Sequence, residues 1–500
     1  MGVAATLLLP HLLGEDFATR KAARLYAPAA GEAYGSGNRD AITVALIDDA
    51  TLEDAHENWP PNYGYYARVL RGLAVYKPKA IFFDIAFRDL RENDRSIFAL
   101  LNEICALKRA GIPVYLASQP TADGALTTIA PVQALEGRCL TQVGVTYTAD
   151  EIDHIVWEYP LASYVGKKEI RSAAMTLYED VTGERLPDPA ARMALTWGLH
   201  PAQDALTWIA ASEPTRPDGA SDADQEAGSD QYCRKDHGWM ELAPPGIHRA
   251  KFADAEKPVC VFHHTVYVYE LKTDPTIGSK INHKIVLLGT ARRFGGDYIN
   301  SPISGRIPGV YLHAMALDNL LTYGANYKRV TSLSLTSDTD NLKLLLLTVS
   351  SLVAVSLIRV VKNRVRRRRA RHKEIPRRYR SYPSQVHLLA TAPTRETEIQ
   401  PVLMVWPQAV DEDDVSWRHV LGWLAHRAID AVRWCAKSTL NLLLSVVLVL
   451  GVLIVGQHFL NVGFLTVVDV AAFALAAEWL EWNEQLLEWL THSETERNEE

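Results

Sequence analysis

Cysteine is rare in this chain and unpatterned. The 500 residues hold five: Cys105, Cys139, Cys233, Cys260 and Cys435. None forms a CxxC pair, and no Cys/His spacing fits a zinc module, so no metal and no cofactor is expected. Other chemistry-bearing patterns are missing too. There is no GxxxxGK[ST] phosphate loop, no GxSxG nucleophile elbow, no HExxH and no kinase catalytic loop. An internal repeat is also lacking. The opening MGVAATLLLPHLLG has no basic n-region and is interrupted by Pro10 and His11, which makes it poor as a secretory signal and too short for a span.

What the chain does have is one long apolar run with an abrupt end. LKLLLLTVSSLVAVSLIRVV, Leu342 to Val361, is long enough to cross a bilayer. Lys362 to Arg380 follows at once, with eleven Lys/Arg against one Glu. Such a cluster stays on the cytoplasmic side, so the residues before it are expected outside. A basic run also fits nucleic acid. Its position against a span makes it a topogenic signal and an anionic-lipid contact instead, and no nucleic-acid partner is expected. The net charge of −7 hides this cluster, because acids elsewhere offset it.

The segments then fall in order. Residues 1–40 are a lead-in stub. An exterior domain needs an export device, so either a first span is truncated, the favoured reading, or the stub inserts with help. Residues 41–335 form the exterior domain, with a polar Gly/Asp/Ser-rich insertion over 212–238. The first span is 342–361. A basic loop occupies 362–439, in which 415–437 reads as an amphipathic helix lying along the inner membrane surface or packing on another cytoplasmic element. Further spans are expected at 440–456 and 462–479, with an acidic cytoplasmic tail at 480–500. Asp469 lies inside the third span. It either faces an interhelical partner or sits shallowly with access to water. The expected locale is a bacterial inner membrane, crossed several times.

Within the exterior domain, continuous apolar runs ending in a polar residue read as buried strands: Ala41–Ile47, Lys79–Phe83, Ile112–Ala117 and Lys284–Leu288. Helical periodicity falls between them at 65–75 and 96–109, and again at 310–321. Strands alternating with helices imply an α/β fold with a mostly parallel sheet flanked by helices. The whole chain adds a C-terminal α-helical transmembrane region of three spans.

Ligands of open α/β sheets sit at the strand C-termini. Those ends offer Asp48, Asp49, Asp84, Ser118 and Thr290, with Asp297 in the glycine-rich stretch that follows. Converging carboxylates suit a cation, a polyhydroxyl or an amine, or acid–base work if their pKa values are split. Asp48 and Asp84 equally suit helix and loop caps. His313 reads as a core or helix-surface histidine. His263 and His264 are neighbours in a strand-like segment and so point to opposite faces. Cys233 and Cys260 flank the polar insertion and either pair or remain free thiols.

Two blocks carry a resemblance. ITVALIDDATL (Ile42–Leu52) with AIFFDIAF (Ala80–Phe87) is one. INHKIVLLGTARRFGGDYINSPISGRIPGVYLHAMALDNLL (Ile281–Leu321) is the other. Together they resemble the type-2 CHASE domain, an exterior sensory module of bacterial cyclases, histidine kinases and related receptors, over roughly Ala41–Leu321. Pro308, Gly309, Val310, His313, Ala314, Asp318 and Asn319 fit the family pattern. The resemblance implies a receptor that binds an unknown extracytoplasmic ligand. It departs from the family in its polar insertion, in the long 362–439 separation between spans, and in having no recognisable output domain after the third span. Signalling through a cytoplasmic effector in trans, or within a homo-oligomer, is therefore expected. A scaffold whose exterior domain binds protein is the rival reading, and an exterior hydrolase built on the carboxylates a third.

Overall fold

In the computed structural model the described residues run from 37 to 330, except 92, 188–191, 203–205, 208–258 and 293–295. Scattered positions between 20 and 35, and Leu346, Ser350, Val353 and Arg364, are described as well. The chain divides into two compact units, and all but the last three of these positions belong to the first.

The chain alternates strand and helix for the reason its sequence advertises. Ile42–Asp48 (β1) is buried from Ile42 to Ile47 and so needs cover on both faces. Asp49–Asp54 (α1) and Tyr63–Val75 (α2) lead to Ala80–Phe83 (β2). Ile97–Arg109 (α3) leads to Val114–Pro120 (β3), Leu126–Thr127 (β4) and Leu140–Gly144 (β5). After Ala173–Thr182 (α4), the chain returns through His264–Tyr267 (β6), Ile285–Ala291 (β7), the hairpin Tyr298–Ser301 (β8) and Gly305–Pro308 (β9), and the long helix Val310–Tyr323 (α5).

Six strands pair in parallel in the order β6–β1–β7–β2–β3–β5, and β4 joins β3 antiparallel. Strand β7 is thus wedged between β1 and β2. The pleat sends Ala45, Ile47, Ile81, Phe83, Val286 and Leu288 to one face, where Tyr66, Leu70 and Leu73 of α2 and Leu100, Ile104 and Leu107 of α3 cover them. Each of these large side chains contributes about 1.5–3 kcal/mol on leaving water. The opposite face meets α4 and α5. There Tyr115 donates to Asp180 at 2.9 Å, Thr265 and Tyr311 share a hydroxyl hydrogen bond of 2.7 Å, and Phe82 packs edge-on to His313.

Local signals set the helix ends. The Asn62 side chain accepts from the Tyr65 N–H at 2.8 Å and starts α2. Ser172 caps α4 through the Met175 N–H, and Gly183, at φ +77°, ends it in the left-handed conformation that glycine tolerates best. Cys105 in α3 is disulfide-bonded to Cys139, just ahead of β5. The sequence singled out Cys233 and Cys260 instead. Cys260 lies in a short strand paired with Leu206, and Cys233 lies outside the described residues.

The expected α/β architecture, a mostly parallel sheet flanked by helices, is what the structure shows. Among the described residues no helix is long and apolar enough to cross a membrane. The expected spans lie outside the described residues apart from Leu346, Ser350 and Val353. So do the polar insertion at 212–238, the amphipathic helix at 415–437, Asp469 and the acidic tail.

Candidate sensory site at the strand ends

The register brings the candidate residues to one edge of the sheet and the pleat then separates them. Asp48 lies beside Ala291, and Thr290 beside Ile47. The Asp84 N–H donates to the Leu288 carbonyl at 2.8 Å, and Ser118 lies beside Gly144. Side chains alternate along a strand. Ser118 and Thr290 therefore share the face of Leu116 and Leu288, under α2 and α3. Asp84 shares that of Phe82, under α5.

Each has its own surroundings. Asp48 is the N-cap of α1, accepting from the Thr51 N–H at 2.8 Å and from the Thr51 hydroxyl, while burial raises its carboxyl above the usual range. Its capping role is thus satisfied within the chain. Asp49 is exposed and lies 3.7 Å from the Arg292 guanidinium, which sits over the Trp59 ring. Ser118 is fully buried and its hydroxyl has no hydrogen-bond partner among the described residues. Thr290 is half-buried.

Asp84 and Asp297 come together. The Asp84 side chain is only 8% exposed, and burial, with the charge of Asp297 adding to it, pushes its carboxyl up to about 8. Asp297, exposed above it, accepts from the Tyr147 hydroxyl at 3.1 Å. Behind Asp84 stands His313, its Nε2 3.8 Å from Asp84 Oδ1. The other ring nitrogen, Nδ1, lies 2.8 Å from the Tyr159 hydroxyl. That hydroxyl also accepts from the Ala174 N–H at 3.4 Å, which ties the His313 ring to the start of α4. Burial pushes His313 down to about 3, so the ring is neutral. The ordered groups, from surface to core, are carboxylate, carboxylic acid, imidazole and phenol.

A second buried network lies further along α5. Asp318 is fully buried and accepts from the Tyr34 hydroxyl in the lead-in; His263 Nε2 stands 3.2 Å from its other oxygen. His264 turns the other way, to Asp40 at 3.1 Å, as strand alternation requires. Asn319 holds the backbone of Thr196, and Lys328 donates to the Thr196 hydroxyl at 3.1 Å. Burial lowers Lys328 to about 8.

A model of the CHASE2 domain matches residues 13–356, well over half of the chain. The chain belongs to the CHASE2 family. No curated protein and no solved structure matches it. CHASE2 domains are extracellular sensory domains of receptors, so sensing and signal transduction are what this fold serves. The CHASE2 match reaches beyond the two blocks legible in the sequence, upstream into the lead-in and downstream into the apolar run. The upstream extension has a physical counterpart in Tyr34, whose hydroxyl is bound to Asp318.

The residues that carry the CHASE2 resemblance are buried in and before α5: Pro308, Gly309, Val310, His313, Ala314, Asp318 and Asn319. Their polar members are those with long-range partners. Sequence reasoning named His313 and His263 without their partners and missed Tyr147, Tyr159 and Tyr34, because each finds its partner more than fifty residues away. Among the described residues no group of three or more His, Cys, Asp or Glu is placed to hold a metal ion. A hollow of about 10 Å³, room for a single water, lies between Gly198, Leu199, Phe262 and Ile303, and none of the six candidate residues lines it.

Proposed function

We propose that this protein is a multi-pass receptor of a bacterial inner membrane whose CHASE2 domain faces the exterior and senses an extracytoplasmic ligand. The observation that carries this reading is that the CHASE2 match runs from residue 13 to 356, into an apolar run that a dense basic cluster closes at 362–380. The Cys105–Cys139 disulfide supports it, because such bonds persist in oxidising compartments. The domain binds and does not catalyse. Three spans, at 342–361, 440–456 and 462–479, carry the signal inward. The basic loop 362–439 and the Trp-bearing segment 480–500 supply contact surfaces for an effector in trans or for a second copy of the chain.

A topology map tests this. Reporter fusions or single-cysteine labels after residue 335, within 362–439 and after 480 should report exterior, cytoplasmic and cytoplasmic. A cytoplasmic position for residue 335 would end the receptor reading. Co-purification of a protein partner on the exterior domain, with no small-molecule stabilisation of that domain, would favour a scaffold instead.

A further inference from the structure

Asp84 is more than nine-tenths buried, yet its carboxyl makes no hydrogen bond within the described chain. The titratable groups around it come from four elements. Asp297 stands on the segment before β8, His313 on α5, Tyr147 beyond β5, and Tyr159 in the two-residue strand Glu158–Tyr159. Among the described residues no cation offsets its burial.

Asp297 in turn closes on the start of α5. Its backbone carbonyl accepts from the Gly309 N–H at 2.8 Å, and its carboxylate packs so tightly there that a Cβ on Gly309 would come within 2.4 Å of Oδ2. Gly309 is the N-cap of α5. A negative charge at that end is favoured by the helix dipole.

We propose that Asp84 and Asp297 form a proton-operated latch on α5. While Asp84 keeps its proton, a single negative charge faces the helix start and Asp297 stays closed on Gly309. When the proton leaves, a second like charge is left on the buried Asp84 beside Asp297, and the latch opens. The exposed Asp297 gives the proton a route to solvent.

Burial places the Asp84 transition near 8, and His313, pushed down to about 3, does not take the proton up. A carboxyl raised in the fold contributes its stability fully below its ordinary range and loses it as pH rises through the folded value. The closed latch is thus the form at neutral and acid pH.

Helix α5 spans about 20 Å at 1.5 Å per residue. Its far end holds Tyr34 through Asp318 and Thr196 through Asn319, next to the chain's way into and out of the domain. That the latch signals across a membrane rests on the receptor reading above. The latch itself concerns only the domain's own residues, so its failure and that of the receptor reading are separable.

The test uses the full-length protein in detergent, titrated from about pH 6.5 to 9 around the raised carboxyl. Amide hydrogen exchange over 310–323, corrected for intrinsic rates, reads the latch. Infrared absorption of a protonated carboxyl reads Asp84 directly. In the wild type, exchange should rise by roughly tenfold per pH unit up to about pH 8 and level off above it as the carboxyl band disappears. Asp84→Asn, an isostere of the protonated acid, should lack the band and keep α5 protected throughout. Asp297→Asn should move the transition to lower pH. Parallel exchange profiles in wild type and Asp84→Asn would overturn the latch. So would a protonated-carboxyl band that survives in Asp84→Asn. If Asp84→Asn does not fold, a transition left unmoved by Asp297→Asn overturns it.

Discussion

Asn319 grips Thr196 by both backbone groups: its Oδ1 accepts from the Thr196 N–H at 3.0 Å and its Nδ2 donates to the Thr196 carbonyl at 2.9 Å. Both residues are buried. Truncating Asn319 strands a buried donor and a buried acceptor, each costing about 1–3 kcal/mol. Asn319→Ala should therefore lower the free energy of unfolding by about 2–6 kcal/mol, read as a shift in denaturant midpoint at constant slope. A loss of less than about 0.5 kcal/mol, the size of an ordinary surface change, would mean that the clamp is not formed in solution.

Gly289 ends the apolar part of β7 where α5 begins. A Cβ there would lie 2.5 Å from the Val310 Cβ. Gly289→Ala should cost about 1–3 kcal/mol through overpacking. Gly37→Ala, with nothing within 4 Å of the added carbon, is the matched control and should stay within about 0.5 kcal/mol of the wild type. Equal effects at the two sites would contradict the close approach of α5 to the sheet.

The Cys105–Cys139 bond closes a separation of 34 residues. Replacing both by serine should remove about 2–4 kcal/mol of stability. A reductant should lower the wild-type midpoint by a similar amount and leave the double variant unmoved. A wild type indifferent to reductant would show that the thiols are not joined.

Two buried bases fix how stability depends on pH apart from the latch. His313 is pushed down to about 3, so the unfolded chain takes up its proton first as pH falls. Stability should drop on acidification from about pH 6.5 toward 3, and His313→Gln should remove that limb. The slope of Asp84 runs the opposite way over part of this range, so the difference between wild type and variant is what isolates His313. Lys328, lowered to about 8, is neutral in the fold while still charged in the unfolded chain up to about pH 10.4. Stability should climb between those values, and Lys328→Met should flatten the climb.

The strands that sequence revealed are those whose apolar run is continuous and whose end is polar. Ala41–Ile47 foreshadows β1, Lys79–Phe83 β2, Ile112–Ala117 β3 and Lys284–Leu288 β7, each within one to three residues at either end. They are buried on both faces, and that demand is written into every position. Strand β5 carries Gln142 and β6 begins at His264, so neither shows an unbroken run. Their neighbours in the sheet, not their own composition, make them strands. The hairpin Ala162–Arg171 and helix α4 were likewise illegible.

At the candidate site the carboxylates were visible because polar residues at strand ends stand out. Their division between two faces was not, since it depends on register beyond each apolar run. Asp48 is occupied as a cap, a role its position before α1 allowed in advance. The His313–Tyr159 pairing joins residues 154 apart in the chain, and no local pattern encodes it. Disulfide choice is similarly silent, because the four cysteines ahead of the apolar run permit three pairings.

The wedging of β7 between β1 and β2 bears on how the domain is made. The first eighty-odd residues hold two strands that are joined only when a segment about two hundred residues further along slots in and hydrogen-bonds to both. An emerging chain is thus left with two unpaired apolar edges while everything up to Ala291 is synthesised. Assembly cannot proceed strand by strand from the front, so the central sheet closes only late in synthesis.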